Sequence, residues 1–328
     1  MKILEIRKND SGQRLDKFLS KAVKAMPPSL MYKSIRTKKI KVNRKRAEIS
    51  QILNEGDTVQ LFLPDELFEG SKDESKILSH ITPTFKVIYE DENILLADKP
   101  SGINVQPDVE GDTNTLITQI QAYLYKSGEY NPTCEQSFAP ALCNRIDRNT
   151  AGIVIAAKNA EALRNMNEVI KERRLTKKYL CAVHGHLNKA EDTLRGFLFK
   201  NSKTNTVTVY DRQIKGSKEI VTKYKSLSEK NGISLIEVEL ITGRTHQIRA
   251  HMSSIGHPLI GDGKYGVNRE DKKSGYKYQA LCSYSLTFND DGFFSYLKGK
   301  TFTVSAESIY FLELFDMDKL PKHIRGIK

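Results

Sequence analysis

The sequence predicts an α+β protein of two domains, a small basic N-terminal module and a larger domain built on a mixed or antiparallel sheet. Three observations predict it. The chain has 328 residues, more than a single hydrophobic core usually organises. Its cationic excess is concentrated at one end: residues 1–64 hold 15 Lys and Arg against 6 Asp and Glu, whereas the whole chain has a net charge of +12. From about residue 83 onward, segments of helical and strand-like period are interspersed, as in an α+β fold.

In the first module Leu15, Phe18, Leu19, Ala22 and Val23 recur at the spacing of one helix face, and Pro27-Pro28 ends that helix. Ser29 is placed to cap a second helix running to about Arg36. KKIKVNRKR then reads as a short strand and a basic turn, and EGDTVQLFLP as a strand whose Val59, Leu61 and Leu63 face inward. Arg36, Lys38, Lys39, Lys41 and Arg44 crowd this second half, the footprint of a nucleic-acid-binding surface or of a solvated lysine-rich face. Residues 65–82 are polar without a clear period and read as a linker.

The larger domain begins near Pro83. FKVIYE and NILLADK read as strands, GDTNTLITQIQAYLYK as a helix, and the run Gly152 to Ala157 as a buried strand. NAEALRNMNEVIKERR has Leu163, Met166, Val169 and Ile170 at helical spacing. KKYLCAVHGH, IVTKYKSLS and ISLIEVELI follow as strands, and NREDKKSG at 268–275 as a charged loop.

Several classes are disfavoured. No apolar run approaches the roughly 18 to 20 residues of a membrane span, and MKILEIRKND lacks a signal-peptide core, so a cytoplasmic protein is expected. Cys134, Cys143, Cys181 and Cys282 show no CxxC spacing, which favours buried or partly buried thiols over disulfides or a zinc ribbon. GDGKYG at 261–266 satisfies GxGxxG without the flanking strand and helix that a dinucleotide site needs, and KPSG at 99–102 lacks the phosphate-loop frame.

Two segments can carry chemistry. NRIDRNTAGIVIAAKN sets Asp147 between Arg145 and Arg148, directly before a turn braced by a buried strand. Opposite charges a few ångströms away would keep the carboxylate ionised and attract a polyanion, so a catalytic acid and a salt-bridged loop aspartate are both open readings. TGRTHQIRAHMSSIGHPLIGD clusters Arg244, His246, Arg249 and His251 where a strand meets a helix capped by Thr245, a ready phosphate or carboxylate site. Neither this group with His257 nor the pair His184 and His186 has the Cys, Asp or Glu that would complete a metal site. Tyr179, after Lys177 and Lys178, is either core packing or a stacking platform for an extruded base.

Taken together the segments resemble the RluA family of RNA pseudouridine synthases, in the subgroup with an N-terminal S4-type RNA-binding domain. RLDKFLS, SLMYKSIRTKKIKVN and EGDTV are similar to that small domain, and YEDENILLADKPSGINVQP to the first catalytic-domain motif. NRIDRNTAGIVIAAK resembles the signature HRLDxxTSG, KKYLCAVHG the tyrosine motif, and TGRTHQIRAHMSSIGHPLIGD the arginine motif. The resemblance implies domains at 1–64 and 83–328, Asp147 as catalytic residue, Tyr179 as active-site tyrosine, and Arg249 as the arginine that pairs with the aspartate. Arg145, Arg148, Arg244 and His246 then become RNA contacts beside those of the basic module. Asn144, Ala151 and Cys282 depart from the family's usual His, Ser and His.

The implied reaction is isomerisation of uridine in RNA, with Asp147 either attacking C1′ or removing the 2′ proton. It needs no cofactor and no metal, because the departing base is retained. Large-subunit ribosomal RNA is the first expectation for the substrate and transfer RNA the second, for a monomer without a membrane or an obligate protein partner. Two rivals remain: a non-catalytic RNA-binding or ribosome-assembly factor, and a hydrolase that releases uracil.

Overall fold

A computed structural model of the chain describes residues 1–68, 74–108, 112, 114–266 and 268–326. The N-terminal module runs β1 (Lys2–Glu5), α1 (Leu15–Ala22), α2 (Pro28–Arg36), β2 (Ile40–Val42), β3 (Lys45–Arg46) and β4 (Thr58–Leu61). Its four strands pair antiparallel in the order β1-β4-β2-β3. The expected helix face of Leu15, Phe18 and Leu19 closes over Ile40, Val59 and Leu61 in one buried cluster. Asn43 and Arg44 both have positive φ, the backbone of a tight hairpin turn. Two expectations change. The cap of α2 is Pro27, with Pro28 at the first helical position, where its missing N–H costs nothing; Ser29 lies inside the helix. The edge strand β1 was not anticipated, since four residues are too short for a period.

Residues 69–73 of the expected linker lie outside the described residues. The remainder is not structureless: it holds a helical turn at Asp65–Phe68 and the helix α3 (Glu74–His80). The buried Leu78 joins the cluster that holds Leu116 and Ile120, so tertiary packing stabilises a helix that its polar sequence conceals.

The small module is seated on the larger domain through a polar seam. Asp10 is 1% exposed and accepts hydrogen bonds from the Ser137 hydroxyl at 2.5 Å and the Gln136 amide at 3.3 Å. Gln136 also donates to the carbonyl of Glu5, Arg7 to that of Cys134, and Arg164 to that of Ser11.

The larger domain runs β5 (Lys86–Glu90), β6 (Ile94–Lys99), α4 (Leu116–Lys126), β7 (Ala141–Leu142), β8 (Ala151–Ala157), α5 (Ala160–Lys171) and β9 (Leu175–His184). It continues with β10 (Glu191–Asn201), β11 (Thr206–Tyr210), β12 (Lys218–Lys230), β13 (Ile233–Leu240), α6 (Gln247–Ser254), α7 (Arg269–Lys273), β14 (Leu281–Phe288), β15 (Thr301–Thr303) and α8 (Lys322–Arg325). Residues 111 and 113 of the segment expected to open α4 lie outside the described residues; Thr115 caps that helix through its side chain. The eleven-stranded sheet has the order β11-β10-β12-β13-β9-β14-β8-β6-β5, with β15 on β14 and β7 on β8. Among the described residues only β14 and β8 pair in parallel, so the sheet is mixed. Every residue of β8 is buried: Ile153 and Ile155 enter the layer with α5 and the C-terminal segment, Val154 and Ala156 the layer with α4 and α6. A strand covered on both faces reads as a continuous apolar run, as this one does.

The charged stretch 268–275, expected as a loop, contains the helix α7. It is anchored because Asp271 accepts from the backbone N–H of Gly261 at 2.8 Å and pairs with His184 at 3.0 Å. The expectation of buried or partly buried thiols holds for Cys181 and Cys282, which are buried, and for Cys143, which is partly buried, and fails for the exposed Cys134.

Candidate active site

The acid loop is built by the two strands it joins. Asn144 accepts from the backbone N–H of Ile155 at 2.7 Å, and the Thr150 N–H closes the turn onto the carbonyl of Asp147 at 3.0 Å. Beyond the turn Gly152 has φ +112°, and a Cβ there would stand 2.2 Å from the carbonyl oxygen of Ser283. Only glycine lets β8 and β14 meet at that point.

Lys99, at the end of β6, fixes the loop from below. It is fully buried and its Nζ donates to the carbonyls of Pro100, Ile103 and Arg148 at 2.8, 2.9 and 2.8 Å. Burial pushes its pKa down to about 7, against a pull upward from Asp147. Three carbonyl acceptors match the three donors of the ammonium form. Lys99→Met takes the amine from the carbonyls of Pro100 and Ile103, while that of Arg148 keeps the Gly102 N–H at 3.0 Å, so unfolding by urea should show a loss of about 2–4 kcal/mol. A variant as stable as the parent would show that the amine is not what holds the loops together.

Asp147 does not pair with its sequence neighbours. Arg145 and Arg148 are exposed, and Arg148 donates through Nε to the carbonyl of Gly102 at 2.9 Å. The partner is Arg249, on α6, whose Nη1 lies 2.9 Å from Asp147 Oδ2. Arg249 also holds the fully buried Asp262 in a two-point contact, Nε to Oδ2 at 2.7 Å and Nη2 to Oδ1 at 2.9 Å. Burial opposes the charges of both groups, yet their pairing outweighs it: the Arg249 pKa is raised and that of Asp262 lowered. Sequence reasoning missed Asp262, although it ends the quoted arginine motif.

The junction before α6 is pinned by Gln247. Its carbonyl accepts from Thr242 Oγ1 and the Arg244 N–H, while its amide donates to Val221 O and Thr222 Oγ1, all at 3.0–3.1 Å. His246, not Thr245, caps the helix, in the left-handed conformation at φ 53°, a sparsely populated region for a non-glycine. Its ring consequently faces inward: Nε2 is 3.8 Å from Asp147 Oδ2 and Nδ1 is 2.7 Å from the Tyr265 hydroxyl. Burial pushes its pKa down to about 4, with Arg249 and Lys264 reinforcing and Asp147 opposing. The other histidines go elsewhere: His251 meets Thr222, His257 the carbonyl of His184, and His186 pairs with Glu229. Among the described residues no three His, Cys, Asp or Glu converge on a metal position.

Asp147, Tyr179, Arg244, His246 and Arg249 line one cavity of about 850 Å³. Arg145 and Arg148 line it too, with Lys171, Arg173, Lys177, Lys200 and Lys264, so that nine Lys and Arg face two acids, Asp108 and Asp147. Of the last five cations only Lys177 lies in a motif of the resemblance, that of the tyrosine; α5, β9, the β10–β11 arm and the turn before α7 bring them in. Tyr179 projects from β9 into the same cluster as Ile248 and Met252. Burial pushes its phenol up to about 12, which suits a stacking surface better than a proton acceptor. Arg36, Lys38, Lys39 and Arg44 are exposed on the small module, and Lys41 lies 5.4 Å over the Phe62 ring. Ala151 and Cys282, two of the three departures, face each other in the strand register; the hydroxyl and imidazole absent here would each need a buried partner.

The family model described as RNA pseudouridylate synthase matches residues 93–254, and that of the S4 domain residues 13–59. An uncharacterized RNA pseudouridine synthase of Mycoplasma genitalium is 32% identical over 86% of this chain and 88% of its own. A ribosomal large subunit pseudouridine synthase C of Buchnera aphidicola is 33% identical over 86% of this chain and 87% of its own. Among solved structures, human RNA pseudouridylate synthase domain containing 4 superposes with a TM-score of 0.54 over 76% of this chain and 92% of that one; at 19% identity it speaks to the fold alone. No helix of the described residues is long and apolar enough to cross a membrane.

Proposed function

This chain belongs to the family of RNA pseudouridine synthases, isomerases that convert uridine in RNA to pseudouridine, and on that premise we propose that it acts on large-subunit ribosomal RNA with Asp147 as the reacting carboxylate. The observation that carries the site assignment is the Arg249 guanidinium, held by the buried Asp262 and placed 2.9 Å from Asp147 in a cavity rimmed by cations. Such a pair sets a fixed positive charge and an N–H donor against the carboxylate that would react. The choice of RNA is supported by the relatives named as large-subunit enzymes, at 30–33% identity over most of the chain.

In this reading the target nucleotide leaves its stack and enters the cavity, as enzymes acting on a base require. Tyr179 stacks on the ring, and the cations hold the flanking phosphates. Asp147 either attacks C1′ or removes the 2′ proton; the N1–C1′ bond breaks, and the uracil turns and reattaches through C5. The C5 proton is then lost while N1 gains one, and the carboxylate is regenerated by release of the ester or return of the 2′ proton. Arg36, Lys38, Lys39, Lys41 and Arg44 bind RNA on the small module, taken as residues 1–64, and add affinity for the structured site around the uridine. The catalytic domain is taken as residues 83–328.

The test is pseudouridine mapping after incubating the purified chain with unmodified large-subunit ribosomal RNA and, separately, with transfer RNA. New pseudouridine in the ribosomal RNA is the expected result. Product confined to transfer RNA would overturn the choice of substrate, and free uracil without pseudouridine would mark a hydrolase instead.

A further inference from the structure

We propose that Tyr265 is a positioning residue that holds His246 in its neutral, Nε2-protonated tautomer, so that the imidazole presents Asp147 with an N–H donor rather than a second cation. The hydrogen bonds set the direction. The backbone N–H of Val207, on β11, can only donate, and it does so to the Tyr265 hydroxyl oxygen at 3.0 Å. Among the described residues the hydroxyl proton then has one acceptor, His246 Nδ1 at 2.7 Å. A ring nitrogen that accepts carries no proton, so the proton of the neutral ring sits on Nε2. That nitrogen faces Asp147 Oδ2 at 3.8 Å. The separation is just beyond hydrogen-bond reach, and catalytic contacts of this kind tighten when substrate binds.

The remaining contacts of Tyr265 serve the same placement. Its ring lies 5.2 Å from the Arg249 guanidinium carbon and meets the His246 ring edge-on at 5.5 Å. Its backbone N–H donates to Asp262 Oδ1 at 3.2 Å, and its carbonyl accepts from Ser253 at 2.6 Å. One residue therefore touches both groups beside the acid and also the strand β11, which belongs to neither motif of the site. The left-handed backbone of His246 is the strain that this arrangement sustains.

The inference rests on Asp147 as the reacting acid, but its first readout needs no substrate. Nitrogen-15 NMR of ring-labelled histidine in the full-length protein near pH 7, with His246→Gln to assign the signal, reports which ring nitrogen carries the proton. The parent should show Nε2 protonated and Nδ1 bare. Tyr265→Phe, which keeps the ring and removes the hydroxyl, should populate both tautomers and lower kcat about tenfold, the scale of one ordinary hydrogen bond, with KM for RNA unchanged. A parent protonated on Nδ1, or a Tyr265→Phe variant with unaltered ring signals, would overturn the proposal even if kcat fell, because the effect would then be packing. Altered signals with undiminished kcat would overturn it as well. A parent that makes no pseudouridine is a separate failure, that of the function above, and leaves the ring signals to be judged alone.

Discussion

Asp147→Asn is expected to lower the rate of pseudouridine formation by at least about 1000-fold, on the order of 4 kcal/mol of transition-state stabilisation, while RNA affinity stays within about threefold. The amide is nearly the same size but can neither attack as an anion nor take a proton. The fold should tolerate the change. Asp147 is about a quarter exposed on its side chain, and Arg249 keeps its two-point contact with Asp262 when the nearer acid becomes neutral. The measurement is single-turnover product formation beside a binding titration on the same RNA. An Asn variant that still isomerises uridine at a tenth of the parent rate would remove Asp147 from the chemistry.

Arg249→Met is expected to strike twice. Activity should fall at least as far, since Asp147 loses its closest cationic partner. Stability should fall by about 3–5 kcal/mol, because Asp262 is left charged and fully buried without a counterion. The second variant, Arg249→Met with Asp262→Asn, separates the effects: the amide oxygen still accepts from the N–H groups of Lys264 and Tyr265, so most of the stability should return while activity does not. Urea titrations and product assays of both proteins decide it. If the double variant regains activity with its stability, Arg249 acts only by keeping the domain folded.

Much of this arrangement is legible in the sequence because local rules agree with the final fold. The helix face of Leu15, Phe18 and Leu19 and the unbroken apolar run of β8 announce themselves through period alone. The pairing of Asp147 with Arg249 is not local: 102 positions separate the two residues, and only the family resemblance brought them together. Charge proximity along the chain points instead to Arg145 and Arg148, which the fold turns toward solvent and the cavity rim. Lys99 was hidden for another reason. The sequence marks it only as the last residue of the strand NILLADK, and nothing in KPSG reveals three carbonyls gathered around its amine. Helix α3 was hidden because its polar sequence buries one side chain, Leu78, against a partner that sequence period does not see.

The two carboxylates on Arg249 bear on charge balance through the reaction cycle. If Asp147 attacks C1′ it becomes a neutral ester, and if it takes the 2′ proton it becomes a neutral acid. In either case the negative charge facing Arg249 Nη1 disappears midway. A guanidinium that depended on Asp147 alone would then be a buried cation without a counterion, and much of the energy gained by forming the intermediate would be spent there. Asp262 never takes part in that exchange. Its contacts to Nε and Nη2 would hold the arginine in place, without movement or added water, if Asp147 is consumed and regenerated in this way.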